Sequence, residues 1–496
     1  MALPGSTITV LDGGLGVTVP ASSRPHVIGV FETGTANVPT LISNQRQLKE
    51  TFGIHGPGND AAGYILDLSG GPILCTRVSA SVAATYDGGS TDAMLSDLGA
   101  GADNEINLAV ATSAPKNDFQ IVVKIIVGGA RTTTTFQYSL DGGFSFSPTI
   151  AAAASVALGS SGVTLEFEVG TTAPYVAGAT YTSTSKAPHY ASSDLTTTFA
   201  AIDAQVLDAD FFVFAGEAVT AAAAATLFST IATKMASYAS GLDRYYRAIM
   251  GAGEGAAAAA VTAFAALTGE RVAVMYGKFR TAPSFGAVGR GLPLMPALNA
   301  AAMRAAGNVI STDLAQTSGA ASVGALPGAS GLSHDEYRAN AGLDAIKIGT
   351  LRTAANEPGV FITNVWLKSG TGSDFRYWQH GRIMDQACRE TSRQHWLLVS
   401  SNVVTKADGT GQIQEFAAQS IEKRVQRALD NVIGSALRGI GPTTVDGSTG
   451  HVSEIRYQVD RSNNVLSTET LIATVAIVPR GYLKTLIATL SYKLAV

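Results

Sequence analysis

The sequence predicts a multidomain chain of mixed α/β and α+β class: a doubly wound α/β body, an all-β domain inserted into it, and a C-terminal α+β domain completed by terminal arm strands. Three observations predict this. Apolar β-branched runs alternate with helix-length stretches before residue 80 and again after 188. Between them the texture turns to Thr, Ser, Gly and β-branched residues. From 359 onward, amphipathic helices precede strands of strict alternation. Strands alternating with helices at this spacing indicate a mostly parallel sheet, and 496 residues exceed what one core organises.

The elements follow in order. Residues 6–10 alternate polar and apolar before the Asp12-Gly13-Gly14 turn, so residues 1–20 read as a linking arm rather than a core element. The body takes 21–79 and 189–358. It begins with a strand from Val27, helices at 45–51 and 61–68, and a strand at 73–78. It resumes with helical periodicity after Ser193, strands at 211–215, 245–250 and 271–276, and helices at 221–240 and 256–267, the first of these stopping at Gly241. The insert, 80–188, carries strand candidates at 121–127, 132–140, 163–169 and 179–183. The last region, 359–484, predicts a strand at 360–366, a helix at 377–391, a long helix at 413–437 and strands at 452–460 and 467–478. On the long helix Ile413, Ala417, Ile421, Val425, Leu429, Val432 and Leu437 form an apolar stripe, opposite Glu415, Glu422, Lys423, Arg427 and Asp430. Residues 485–496 form a second linking arm, with Leu486, Leu490, Tyr492 and Leu494 on its apolar side; Ile8, Val10, Val17 and Val19 are the matching positions of the first.

Composition narrows the function. Lys plus Arg number 34 against 38 Asp plus Glu, so the chain has no general attraction for phosphate backbones or anionic membranes, and no direct nucleic-acid partner is expected. Two cysteines, Cys75 and Cys388, encode neither a disulfide framework nor a cysteine zinc site. The opening residues show neither a basic segment nor an apolar stretch, so no secretory signal is expected. Alanine runs near 221–225 and 256–260 are interrupted well short of a bilayer span, and no membrane insertion is expected. Charged residues make up only 15%, which suits a surface largely covered by neighbours.

Chemical motifs are few. Gly251-Ala252-Gly253-Glu254-Gly255 lies between a strand and a helix, where a dinucleotide loop would sit. Its third glycine comes one residue early, Glu254 would face the pyrophosphate, and the next strand ends without an acidic residue for a ribose. A tight βα turn is the better reading, and no cofactor is expected. Ser139-Leu140-Asp141-Gly142-Gly143-Phe144-Ser145-Phe146 resembles the Asp-box, with Phe146 at the tryptophan position. There the Ser and Asp brace a hairpin turn; a single copy cannot build a propeller. The seven histidines form no i, i+4 metal pair, and no G-x-S-x-G elbow occurs. No catalytic or metal-ligating residue is assigned.

An ordered series remains. It runs from Val27-Ile28-Gly29-Val30-Phe31-Glu32-Thr33-Gly34 through Pro39-Thr40-Leu41-Ile42-Ser43 and Phe52-Gly53 to Gly70-Gly71-Pro72-Ile73-Leu74-Cys75-Thr76-Arg77-Val78. It is taken up again by Val360-Phe361-Ile362-Thr363, a helix with Arg382 and Asp385, Ile421-Glu422 and Val425, Asp460-Arg461, and Pro479-Arg480-Gly481-Tyr482. This series resembles contractile bacteriophage tail sheath proteins over about the first 80 and last 140 residues. The resemblance implies a non-enzymatic virion subunit, assembled in the host cytoplasm, that forms hexameric rings stacked helically around a tail tube. Its partners would be further copies of itself, the tube protein, and the baseplate and tail terminator proteins. Contraction would drive the tube through the host envelope. The terminal domains would form the inner layer, with Glu422, Lys423 and Arg427 as the candidate tube contact and the arms completing sheets in neighbouring subunits. A carbohydrate-binding adhesin and a dinucleotide enzyme are the competing readings; both leave the terminal arms unexplained.

Overall fold

The computed structural model describes residues 24–86, 94–96, 105–109, 114–168, 174–205, 209–216, 220–241, 244–253, 255–277, 342–353, 361–399, 401–437 and 455–478. The architecture is mixed α/β with several sheets.

The chain enters on β1 (Pro25–Gly29), an apolar run buried along its whole length. After β2 (Thr40–Ile42), Asn44 caps α1 (Gln45–Phe52) by accepting from Gln47 N at 2.9 Å, and Gly53 ends it with φ +82°. Helix α2 (Pro57–Ser69) leads into β3 (Ile73–Arg77). The chain then leaves this layer through nine strands: β4 (Thr85–Tyr86), β5 (Leu95–Ser96), β6 (Ile106–Leu108), β7 (Gln120–Val127), β8 (Thr135–Ser139), β9 (Ile150–Ala151), β10 (Ser155–Ala157), β11 (Thr164–Phe167) and β12 (Thr180–Lys186). It returns through α3 (Ser192–Asp203), β13 (Phe211–Ala215), α4 (Ala221–Gly241), β14 (Arg247–Gly251), α5 (Ala257–Phe264), β15 (Val272–Met275) and β16 (Ile348–Gly349).

The body sheet has the order β16-β15-β14-β13-β1-β3-β2, parallel throughout except for β2, which runs antiparallel on β3. The sequence winds outward in both directions from β1, the doubly wound pattern. Both faces are covered, which is why the strands are almost wholly apolar. Val27, Phe211, Val213 and Ile249 face a core shared with α1 and α2, and Ile28, Phe212, Phe214 and Val274 face one shared with α3, α4 and α5. On α4 the buried positions Ala224, Leu227, Phe228, Ile231, Met235 and Tyr238 recur at helical spacing and make the alanine-rich helix amphipathic.

The strands between β3 and α3 make a sheet ordered β4-β12-β7-β8-β9, with β5 also on β12, and a three-stranded sheet β10-β11-β6. They enclose a separate core around Phe119, Ile121, Val123, Phe136, Leu165, Phe167 and Tyr181. The strands here pair antiparallel, and alternation along β7 buries Ile121, Val123 and Ile125 while their neighbours face outward.

After β16 come β17 (Leu351–Arg352) and β18 (Phe361–Ile362), a two-stranded antiparallel pair. The strand expected over 360–366 is thus short. Beyond Ile362 the backbone changes partners, Thr363 N donating to Thr350 O at 2.8 Å and Trp378 N to Val365 O at 3.1 Å. Side chains add to this: Thr363 Oγ1 accepts from Thr350 N at 2.9 Å, and Asn364 Nδ2 and Trp366 Nε1 donate to Asp344 at 3.2 and 2.6 Å. Helix α6 (Trp378–Trp396) runs further than expected, and α7 (Glu415–Leu437) starts slightly later. Strand β19 (Ile455–Val459) pairs with β20 (Ala473–Ile477). The expectation of a strand over 467–478 needs correction at its start. Residues Val465–Thr468 form a helical turn, α8, because Asn464 caps it by accepting from Ser467 N at 3.0 Å.

Candidate functional site

Doubly wound sheets hold ligands where the strand order reverses, at the carboxyl ends of the central strands. Here the N-terminus of α2 closes that place. Gly58 N donates to Val30 O at 2.8 Å, and a Cβ on Gly58 would lie 2.8 Å from both that oxygen and the Phe31 ring. The glycine turn after β14 is used in the same way: Gly253 has φ +80°, and a Cβ there would meet the Thr220 backbone at 2.7 Å. Gly253 lets two connections pass closely. Among the described residues, no group of three His, Cys, Asp or Glu could hold a metal ion, and no helix is long and apolar enough to cross a membrane. Cys75 and Cys388 are free thiols, and burial pushes both up from the ordinary thiol range.

The Asp-box stretch is a braced hairpin. Ser139 Oγ donates to Asp141 Oδ1 at 2.6 Å and accepts from Gly143 N at 2.8 Å. Asp141 accepts from Phe144 N at 2.9 Å, Ser145 N at 3.0 Å and Ser145 Oγ at 2.6 Å. Burial pushes the carboxyl up, yet these hydrogen bonds outweigh it and hold Asp141 below the usual carboxylate range. Phe144 and Phe146 stay exposed.

The C-terminal region is organised by the long helix α7. Helix α7 turns Ala418, Val425, Leu429 and Ile433 into a core with Ile383 and Ala387 of α6 and Ile455, Tyr457 and Val459 of β19. Ala417, Ile421 and Val432 of the expected stripe are half-buried at its margins, while Ala418 and Ile433, outside that stripe, are fully buried. The helix packs against α6 and the hairpin together, so its apolar arc is broader than one row. Glu422 lies on the hairpin side. It accepts from Val459 N at 2.8 Å and from Arg461, which also reaches Glu415 at 2.9 Å. Lys423 and Arg427 are exposed. The structure therefore separates Glu422 from these two: it clasps the hairpin, and they face solvent.

The hairpin itself is a two-stranded sheet: the β19 edge is engaged by Glu422 at Val459 N, and the β20 edge pairs with no other strand among the described residues. Along β20, Ala473, Val475 and Ile477 are only half-buried. Ile477 and Val475 border two hollows beside α6. One, of about 530 Å³, is lined by Phe375, Tyr377, His380, Ile383, Met384 and Ile477 among others. The other, of about 410 Å³, is lined by Ala387, Thr391, His395, Trp396 and Val475 among others. Trp396, Leu397, Val399, Leu466, Ile472 and Val478 are exposed apolar residues in the same region. Open edges and uncovered apolar side chains are what strand addition requires. The arm residues Ile8, Val10, Val17, Val19, Leu486, Leu490, Tyr492 and Leu494 lie outside the described residues.

Helix α6 is bolted to the body by buried charge. Asp210, before β13, accepts from Arg382 Nη2 and Arg389 Nη1, each at 2.7 Å. Asp385 pairs with Arg271 Nη1 at 2.9 Å and with Arg247, whose Nε lies 2.6 Å from Oδ2 and whose Nη2 donates to Oδ1 at 3.2 Å. Burial lowers the Arg247 guanidinium below its ordinary range despite Asp385, whereas Asp210 more than offsets burial at Arg389 and raises it. Sequence reading picked out Arg382 and Asp385 only through the family resemblance; their partners come from distant elements, and nothing local in the sequence signals them.

No protein-family model and no curated protein matches the chain. Solved structures do. A chain of the 6-fold symmetrised anti-feeding prophage baseplate aligns at TM-score 0.53 and 13% identity, covering 100% of both chains. A chain of the PVC sheath complex, an extracellular contractile injection system in its contracted state, aligns at TM-score 0.53 and 10% identity over 99% of this chain and 98% of that one. The contracted anti-feeding prophage baseplate gives 0.51 and 11% over the same shares. At these identities the likeness is one of fold, and it extends over essentially the whole chain.

Proposed function

We propose that the chain is a sheath subunit of a contractile tail or injection particle, a structural protein that polymerises around a tube and contracts to drive it through the host envelope. The observation that carries this reading is co-extension: the body, the β-rich insert and the C-terminal region together align end to end with chains of contractile particles. The β20 edge of the hairpin supports it. Strand segments at 6–19 and 485–496 alternate as edge-adding strands do, and β20 offers an edge for them. Pairing with copies on either side links subunits while their bodies rotate, and the buried Arg–Asp bolts make α6 move with its own body. In this reading 359–484 lies inward, with Lys423 and Arg427 towards the tube, and 80–188 lies outward as an appended domain. Rings are hexameric and stack helically, the extended state is held kinetically, and the baseplate releases it.

Electron microscopy of the purified chain, alone and with its tube protein, tests the proposal. Rings or helical tubes are expected. A protein that stays monomeric at high concentration with and without tube refutes it.

A further inference from the structure

The β-rich insert meets the body at two places. One is its neck, where Val82 and His189 exchange both backbone hydrogen bonds at 3.1 Å and Ser81 Oγ donates to Asp194 Oδ2 of α3 at 2.6 Å. The other is lateral. There Glu32, just beyond β1, accepts from Ile54 N at 2.9 Å and His55 N at 3.0 Å through one oxygen, and from Lys116 Nζ of the insert at 2.8 Å through the other. Asn117 Nδ2 of the insert donates to Asp60 Oδ2 of α2 at 2.7 Å. Between these contacts sits the His55 ring, 3% exposed. Phe119 meets it edge-on at 5.6 Å, Ser160 Oγ lies 2.9 Å from Nε2, and Nδ1 is buried with no hydrogen-bond partner.

We propose that this lateral contact is a pH-sensitive latch, closed while His55 is neutral and opened when the imidazolium forms, leaving the insert to pivot on its neck. A neutral imidazole needs one donor and one acceptor partner at most, whereas the cation carries two N–H groups. Protonation would bury an unpaired N–H at Nδ1 and set a second positive charge near Lys116. Burial is the largest influence and lowers the His55 pKa; Glu32 raises it, Lys116 lowers it, and the net shift is downward. Glu32 is itself held below the usual carboxylate range, because its hydrogen bonds from Lys116, Ile54 and His55 outweigh burial, so it stays charged as the histidine titrates. Asp60 is engaged by Asn117 and faces the same joint.

The sign follows from linkage. In the open joint His55 regains an ordinary pKa of about 6.5. Closure is therefore fully favoured above that pH and weakens as pH falls below it, by up to about tenfold per pH unit, until the closed-state pKa is reached.

Hydrogen exchange on the full chain, corrected for intrinsic rates, tests the latch at pH 7.5 and 5.5. Amides of residues 54–56 and 114–119 are expected to exchange up to about tenfold faster at the lower pH, while β7, β8 and β12 keep their protection. The His55→Gln chain should show no such dependence. Lys116→Met, which spares the ring, removes both the Glu32 contact and the like charge, so it should loosen the joint already at pH 7.5 and shrink the further acid response. Unchanged protection in the natural chain, the same acid loosening in His55→Gln, or an undiminished acid response in Lys116→Met overturns the proposal.

Discussion

Gly381 lies against the guanidinium of Arg247: a Cβ at 381 would come within 2.2 Å of Arg247 Cζ and 2.3 Å of Nη1. A glycine inside a helix is conformationally costly, and this one opens the surface of α6 so that a fully buried arginine can reach Asp385.

Replacing that glycine should therefore cost more than the helix gains. Gly381→Ala is expected to displace Arg247 and destabilise the chain by about 3–5 kcal/mol, the usual cost of breaking a buried pair. Gly370→Ala, where nothing lies within 4 Å of the added methyl, serves as the control and should be near neutral. Thermal and denaturant unfolding measure both; equal midpoints would remove the steric argument.

The clasp between Arg461, Glu415 and Glu422 has a defined pH window. Hydrogen bonds from Arg461 and Gln419 hold Glu415 down to about 2, and the Arg461 hydrogen bond holds Glu422 below the usual carboxylate range. A depressed carboxylate stabilises above its unfolded pKa and loses that contribution as pH falls through the folded value. Hairpin attachment should thus be intact above pH about 4.5 and fade towards about 2. Exchange at residues 455–459 should follow that course, and Arg461→Ala should already be loosened at neutral pH.

Asp141 is a brace with a local effect. Asp141→Ala frees Phe144 N, Ser145 N and the Ser139 hydroxyl at once. A loss of about 1–3 kcal/mol is expected, confined to the hairpin, because unmade hydrogen bonds cost about that much where groups stay partly buried. Amide exchange across 139–147 should rise while assembly is unaffected; an assembly defect would contradict the outer placement of this region.

Removing either arm should separate folding from assembly. Truncation before Val17 or after Lys484 is expected to give soluble, folded protein that forms no tubes. Each buried side chain lost from such a strand removes about 1.5–3 kcal/mol, and the loss recurs at every interface. Circular dichroism and electron microscopy read the two outcomes; normal contractile tubes from either truncated chain would end the linking-arm proposal.

The exposed cations of α7 offer a test of the tube contact. Reversing Lys423 and Arg427 to Glu should weaken polymerisation on tubes more than tube-free polymerisation, measured by sedimentation. Glu422→Gln should act differently, loosening the hairpin through Arg461. Equal effects of the reversal on both assemblies would assign these residues to an ordinary solvated face.

Much of the architecture was legible along the chain. Strand 211–215 is observed as Phe211–Ala215 because a strand covered on both faces is an unbroken apolar run. Helix 221–240 is observed as Ala221–Gly241 because its apolar positions keep helical period. Short strands such as Thr85–Tyr86 and Ile150–Ala151 were not foreseen, since two residues carry no periodicity. Ser467 and Thr468, expected to begin a strand, close the helical turn Val465–Thr468 because one asparagine cap outweighs the β-branched texture that follows. The roles of individual side chains needed the tertiary structure. Local pattern placed Glu422 beside Lys423 and Arg427, but Arg461, thirty-nine residues on, turns it to the hairpin. Asp210 meets Arg382 across a separation of 172 residues. Periodicity records which face of an element avoids water, and sequence by itself determined that much; which charges meet on the avoided faces depends on elements brought together only by folding, and the tertiary structure alone decided it.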